Sequence, residues 1–151
     1  MSELSHYDAD GTARMVDVSD KPPLAREAVA EACLLAAEDT IDRILDGSLP
    51  KGEALPVARI AGIQAAKRCA ELIPLCHPLP LNHAGVEFER TEPGRLRVRA
   101  TARTIDRTGV EMEALCAASI AALTLWDMVK AVDTDLTVTD VRLISKTKQE
   151  P

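Results

Sequence analysis

Two stretches of alternating residues, Val86-Glu-Phe-Glu-Arg90 and Arg95-Leu-Arg-Val-Arg-Ala-Thr-Ala-Arg103, flank Glu92-Pro-Gly94. Successive side chains of a strand point to opposite faces, so this alternation around a proline-glycine turn predicts a β-hairpin with one apolar face. The second face would set Glu87 and Glu89 near Arg95, Arg97 and Arg99. Cross-strand ion pairs of that kind explain the arginines without a nucleic-acid ligand. The chain must therefore build an antiparallel sheet and cover one side of it.

The cover comes from the flanking segments. Glu38 to Asp46 reads as a short acidic helix closed by Gly47. Leu55 to Glu71 has helical periodicity, with Val57, Ile60, Ala61 and Gln64 on one side and Arg59, Lys67 and Arg68 elsewhere, and Pro74 follows its end. Thr108 with Glu111 fits a capping box opening a third helix that runs to about Val132. Asp140 to Lys148 reads as a last strand. Residues 25–36 are two-sided: alanine favours helix, but Glu27, Val29, Glu31 and Cys33 alternate with alanines and Leu34 in a period of two. Residues 1–23, with Gly11 and the Pro22-Pro23 pair, read as an irregular arm, and 147–151 as a flexible tail. With residues 25–36 taken as strand, the order predicts a two-layer α+β domain over residues 1–151, helices packed on one face of an antiparallel sheet.

Aromatic residues make up 2% of the chain and hydrophobic ones 46%, so small and aliphatic side chains must fill the core. The longest apolar run, Ala114 to Trp126, ends at Asp127, short of the ~20 residues that span a bilayer. The first residues carry neither a basic stretch nor an apolar core, so no secretory signal is expected. Cys33, Cys69, Cys76 and Cys116 lack the paired spacing of zinc sites or disulfide frameworks, and His6, His77 and His83 sit at no known ligand spacing. A cytoplasmic protein without a structural metal is the expectation. A net charge of −6 argues against nucleic-acid binding. Locally, four basic residues oppose Glu53 between Lys51 and Arg68, and such a cluster on an acidic chain suits a small anion.

Leu72-Ile-Pro-Leu-Cys-His-Pro-Leu-Pro80 sets Cys76 and His77 in a loop stiffened by proline. Histidine titrates near neutrality, which leaves open a ligand, an acid or base, or a ring bonded to backbone. Neighbouring side chains in an extended loop diverge, which argues against a Cys-His catalytic pair here. Asp127 and Lys130 lie three apart at a helix end and share a face, where each favours the other's charged form. Such a pair serves either as a surface ion pair or as proton acceptor and donor.

These segments, with Ala13-Arg-Met-Val-Asp-Val-Ser-Asp-Lys21 and Ala58-Arg-Ile-Ala-Gly-Ile-Gln-Ala-Ala-Lys-Arg68, stand in one order. From about His6 to Lys146 the chain resembles the MoaC-type cyclic pyranopterin monophosphate synthases of molybdenum cofactor biosynthesis. The resemblance implies a strand at 25–36, a ferredoxin-like fold, and catalysis by Asp127 with Lys130 beside it. It also implies a substrate pocket lined by Leu75, Cys76, His77, Met112 and Glu113, with Lys51, Lys67, Lys146 and Arg26 near the phosphates. No glycine-rich phosphate loop occurs, so side chains would hold the triphosphate. Any magnesium would arrive with that triphosphate rather than as a resident cofactor. The chain departs from the family at Lys146-Thr-Lys-Gln-Glu-Pro151, where many relatives have a longer tail with a further lysine; Lys148 stands nearby at a different spacing.

The implied activity is a lyase reaction on a cyclised dihydro-GTP, releasing diphosphate. The alternative is a non-catalytic oligomer that binds a purine nucleotide through the same basic groups. Met112-Glu113 and Asp127-Lys130 lie about 15 residues apart on one helix, ~22 Å along its axis. If both serve one pocket, a neighbouring antiparallel chain supplies the second set, with Ala114, Ala117, Ala118, Ala121 and Ala122 allowing close approach. The expected assembly is a homo-oligomer, by resemblance a hexamer built as three dimers, with neither nucleic acid nor membrane as partner.

Overall fold

The computed structural model describes residues 5–151; residues 1–4 of the expected arm lie outside them. The elements follow as β1 (Leu24–Leu35), α1 (Glu38–Asp46), α2 (Ala54–Lys67), α3 (Cys69–Leu72), β2 (His83–Glu92), β3 (Arg95–Asp106), α4 (Glu111–Val129) and β4 (Thr137–Gln149). The four strands form one sheet in the order β2-β3-β1-β4, and every neighbouring pair is antiparallel. The alanine-rich segment at 24–35 is thus a central strand. Its tertiary pairing on both edges overrides the helix preference of alanine.

The core is built from small residues. Ala28, Ala30, Ala32 and Leu34 of β1 and Leu96, Val98, Ala100 and Ala102 of β3 present one buried face. Against them lies α4, through Ala114, Ala117, Ala118, Ala121, Ala122, Leu125 and Val129. Helix α2 packs on α4 and on β2, and at Gly62 the approach leaves no room for a side chain. A Cβ there would lie 2.8 Å from Val86 Cγ2 and 2.9 Å from the Ala117 carbonyl oxygen. By length and composition α4 could cross a membrane, since its helical turns extend past the 13-residue apolar run; here it is the central core helix.

This packing corrects several expectations. The alanine stripe of α4 is buried within its own chain and is not available to a neighbouring helix. Helix α2 buries Ala54, Ala58, Gly62, Ala65 and Ala66, while Val57 and Ile60 are exposed, because only the smallest side chains fit the approach to α4. The helical stretch ends at Lys67, and α3 follows as a separate turn. The capping box does not form: Val110 occupies the N-cap with no side-chain cap bond, and Glu111 instead reaches Lys146 at 3.5 Å. Helix α4 stops at Val129. β4 begins at Thr137, and Asp140 sits at a register irregularity with φ of 53°. The expected tail is strand up to Gln149, with Thr147, Lys148 and Gln149 paired to Glu27, Arg26 and Ala25.

The other sheet face carries the expected ion-pair ladder only in part, since neither Glu87 nor Arg99 is in an ion pair among the described residues. Glu89 pairs with Arg97 across β2–β3, Glu27 with Arg103 at 2.5 Å, and Glu31, only 3% exposed, with Arg142 at 2.6 Å. Arg95 turns to Asp140.

One connection joins the helix layer. The Ala37 amide donates to Asp133 Oδ2 at 3.1 Å and the Thr40 hydroxyl donates to the same oxygen at 2.8 Å, so Asp133 caps α1 from across the chain. These bonds, the Ala37 amide foremost, hold the Asp133 carboxyl below its usual pKa. Asp133→Ala should cost about 1–2 kcal/mol at neutral pH. A depressed carboxyl contributes stability above its unfolded value, about 3.9, and loses it as pH falls through its folded value. Urea unfolding should therefore show the gap between wild type and variant narrowing below about pH 4.

Candidate functional site

The loop after α3 is held at both ends. Ile73 accepts the Cys76 amide at 3.1 Å, the Thr104 hydroxyl donates to the Pro80 carbonyl at 2.7 Å, and the Ile105 amide donates to Asn82 Oδ1 at 3.0 Å. Together with its prolines, this fixes where Leu75, Cys76 and His77 stand. The two reactive side chains diverge. The His77 ring donates from Nε2 to the Val16 carbonyl at 2.5 Å. Cys76 points inward and donates to Glu113 Oε1 at 3.5 Å.

A pocket of about 520 Å³ opens here, lined among others by Leu75, Cys76, His77 and Met112. Glu113 lies behind it, 2% exposed, and burial raises its carboxyl pKa. Burial, reinforced by Glu113, pushes the Cys76 thiol up to about 11, so Cys76 is a thiol rather than a thiolate nucleophile at neutral pH. The pocket wall also includes Lys21, from the irregular arm, and Glu111. The motif ending in Lys21 carried that signal in sequence, whereas Glu111 was read only as a cap.

Gly109 and Glu111 also line a smaller cavity of about 240 Å³ with Arg26, Lys146 and Lys148. Here β1 and β4 run side by side, Arg26 opposite Lys148 and Ala28 opposite Lys146. Arg26 donates from Nε to the Asp106 carbonyl at 3.1 Å and from Nη2 to that of Arg107 at 3.4 Å. Its fork is thus partly used to fix the loop before α4.

Lys51, Asp127 and Lys130 form a second group at the far end of α4. Lys130 Nζ lies 2.6 Å from Asp127 Oδ1. Lys51 Nζ approaches Oδ2 at 3.5 Å and donates to the Asp127 carbonyl at 3.1 Å. The Lys130 hydrogen bond and charge, with Lys51 adding to them, hold the Asp127 carboxyl below its ordinary pKa. Asp127 is therefore an ionised acceptor flanked by two donors, at a site whose side chains are about half exposed.

The basic segment from Lys51 to Arg68 does not form one cradle. Lys51 serves Asp127, whereas Arg59 donates to the Val86 carbonyl at 3.0 Å and lies over the Phe88 ring. Lys67 borders a separate hollow with Leu79 to Ala84. Within one chain the residues singled out in sequence thus fall into a pocket at the start of α4, an acid–base pair at its end, and an isolated lysine. Sequence reasoning missed Cys69 and Cys116: Cys69 folds against both Cys76 and Cys116 although nothing in their spacing marks them.

The strand order β2-β3-β1-β4 with helices on a single face places the chain in the ferredoxin-like class of α+β proteins, here with its titratable groups gathered at the two ends of one helix. The chain belongs to the MoaC family, whose model matches residues 15–149. It is 56% identical over 146 residues to the cyclic pyranopterin monophosphate synthase of Chloroflexus aurantiacus, covering 96% of this chain and 90% of the relative. The synthase of Corynebacterium efficiens is 52% identical over 147 residues, 97% of this chain and 94% of the relative. That of Heliobacterium modesticaldum is 50% identical over 148 residues, 97% and 93% of the two chains.

Proposed function

We propose that the chain is a cyclic pyranopterin monophosphate synthase of molybdenum cofactor biosynthesis. It is a lyase that converts (8S)-3′,8-cyclo-7,8-dihydroguanosine 5′-triphosphate to cyclic pyranopterin monophosphate and diphosphate. The observation that carries this reading is identity of half or more, over nearly the whole chain, to relatives named for that activity. The geometry is compatible with it. Lys146, Lys148 and Lys21 bring positive charge to the two adjoining pockets, where ammonium groups can bind a triphosphate and stabilise a departing diphosphate. Asp127, held ionised by Lys130, is the proton acceptor of its pair and the ammonium groups are donors. Magnesium enters with the triphosphate, the reaction needs no resident cofactor, and the protein works in the cytoplasm.

The complete site is shared between two copies. Asp127 and Lys130 cannot reach the Cys76–His77 pocket of their own chain along a helix of this length. The face of α4 turned away from the core carries Met112, Leu123, Trp126, Asp127 and Lys130, all exposed. An antiparallel second copy on this face would place each chain's Asp127 near the other's pocket, with Leu123 and Trp126 as the apolar contact and a twofold axis generating two equal sites. The assembly is a dimer at least, and a hexamer as three dimers is the arrangement favoured.

Incubating the pure chain with the cyclised nucleotide and measuring diphosphate together with a fluorescent oxidised pterin tests the activity. Binding without either product would favour a non-catalytic nucleotide-binding protein. Lys51→Ala and Lys67→Ala should each weaken substrate binding, Lys51→Ala by about tenfold at low ionic strength, and the loss should shrink as salt screens the charge. Calorimetry giving unchanged dissociation constants in both variants would place the phosphates elsewhere.

A further inference from the structure

Three of the four cysteines meet at one place. Cys69 opens α3, Cys76 comes from the proline-bounded loop, and Cys116 lies one turn after Glu113 on α4. Cys69 Sγ is 3.8 Å from Cys76 Sγ and 3.7 Å from Cys116 Sγ. The donor atoms of Cys69, Cys76 and Glu113 all lie within 4.8 Å of one another. Sulfurs bound tetrahedrally to zinc at about 2.3 Å stand about 3.8 Å apart, so Cys69 and Cys76, with the Glu113 carboxylate, already have the spacing of ligands around a common centre, and Cys116 touches Cys69 from outside that group.

The carboxylate decides between this reading and simple thiol packing. Glu113 is 2% exposed, and its Oε2 is buried without a hydrogen-bond partner. A buried carboxyl with a free oxygen leaves the cost of removing it from water unrecovered. Cys76 is bonded to its other oxygen, and the neighbouring Glu111 is turned to Lys146. A disulfide between any two of the cysteines would leave Oε2 as it is. A soft cation would satisfy it together with the Cys69 and Cys76 sulfurs.

We propose that Cys69, Cys76 and Glu113 form a binding site for a soft divalent cation of the zinc class. Each coordinating thiol gives up its proton to solvent and binds as thiolate, and Glu113 binds through its carboxylate, so occupancy weakens as pH falls. The fold does not depend on the ion, because the alanine core beside the cluster is closed without it. The site adjoins the proposed substrate pocket, which Cys76 lines, but the proposal concerns metal affinity, and Cys69 has no part in the proposed chemistry.

The test is a cobalt(II) titration of the metal-free full chain under reducing, anaerobic conditions. One equivalent should produce a thiolate-to-cobalt charge-transfer band that zinc then abolishes. Cys69→Ser and Cys76→Ser should each weaken binding by about a hundredfold or more, while Cys33→Ser, on β1 outside the cluster, leaves it unchanged. In the wild type, zinc should also protect Cys76 from alkylation, a readout that does not depend on whether the variants fold. A spectrum lacking the charge-transfer band, a band that survives both substitutions, or equal alkylation with and without zinc overturns the site.

Discussion

Asp127→Ala is expected to lower turnover by about 10²–10⁴-fold, the usual scale for losing a positioned proton-transfer group, while the melting temperature stays close to that of the wild type. Asp127 lies in the last turn of α4 and its side chain is 57% exposed, touching only Lys51 and Lys130. Alanine is the better helix former there, so the fold should tolerate the change even though the chemistry does not. Steady-state kinetics with circular dichroism checks both halves, and activity within tenfold of wild type would remove Asp127 from the mechanism. The same geometry sets a pH dependence. Lys130 is the main cause of the depressed Asp127 pKa, so Lys130→Gln should let the carboxyl rise toward its ordinary value. The acid limb of kcat/KM in the residual activity would then move to higher pH.

Much of this architecture is legible in the sequence where local signals and tertiary demand coincide. The β2–β3 hairpin follows from alternation around Pro93-Gly94 and is found in that register. Helix α1 ends as expected at Gly47, whose φ of 76° is open to glycine at little cost. Ranking by hydrophobicity fails in the helix layer. Val57 and Ile60 of α2 face outward because the approach of α2 to α4 at Gly62 admits only glycine and alanine, while Leu55 and Ile63 pack at the margin of the core. The alanines of α4 were assigned to a neighbouring chain for the same reason: small side chains signal close approach without saying to what. The Thr108–Glu111 spacing matched a capping box in composition, but the helix begins after Val110, and Glu111 is drawn to Lys146 on β4, 35 positions along the chain. For the site, each motif found in sequence proved to be one local piece. Pairings such as Cys69 with Cys116, or Arg26 with the carbonyls before α4, exist only after the sheet has closed.

The separation of the site into two ends of α4 yields the prediction that most directly tests how those pieces combine. His77→Ala should inactivate the pocket end, and Asp127→Ala the acid–base end, so each pure variant is expected to have little activity. In a shared-site dimer each site takes its pocket from one chain and its Asp127 from the other. When the two variants exchange subunits in equal amounts, about half of the dimers are mixed, and each mixed dimer holds one site with both groups intact and one with neither. About one quarter of wild-type activity should then return, from two proteins that have almost none. A site confined to one chain allows no recovery, because no single chain carries both wild-type residues. Native mass spectrometry with one variant isotopically labelled would show that mixed dimers have formed. Mixed dimers without recovered turnover would mean that Asp127 of one copy does not serve the His77 pocket of another, and that the exposed stripe from Met112 to Lys130 is not the surface along which the site is completed.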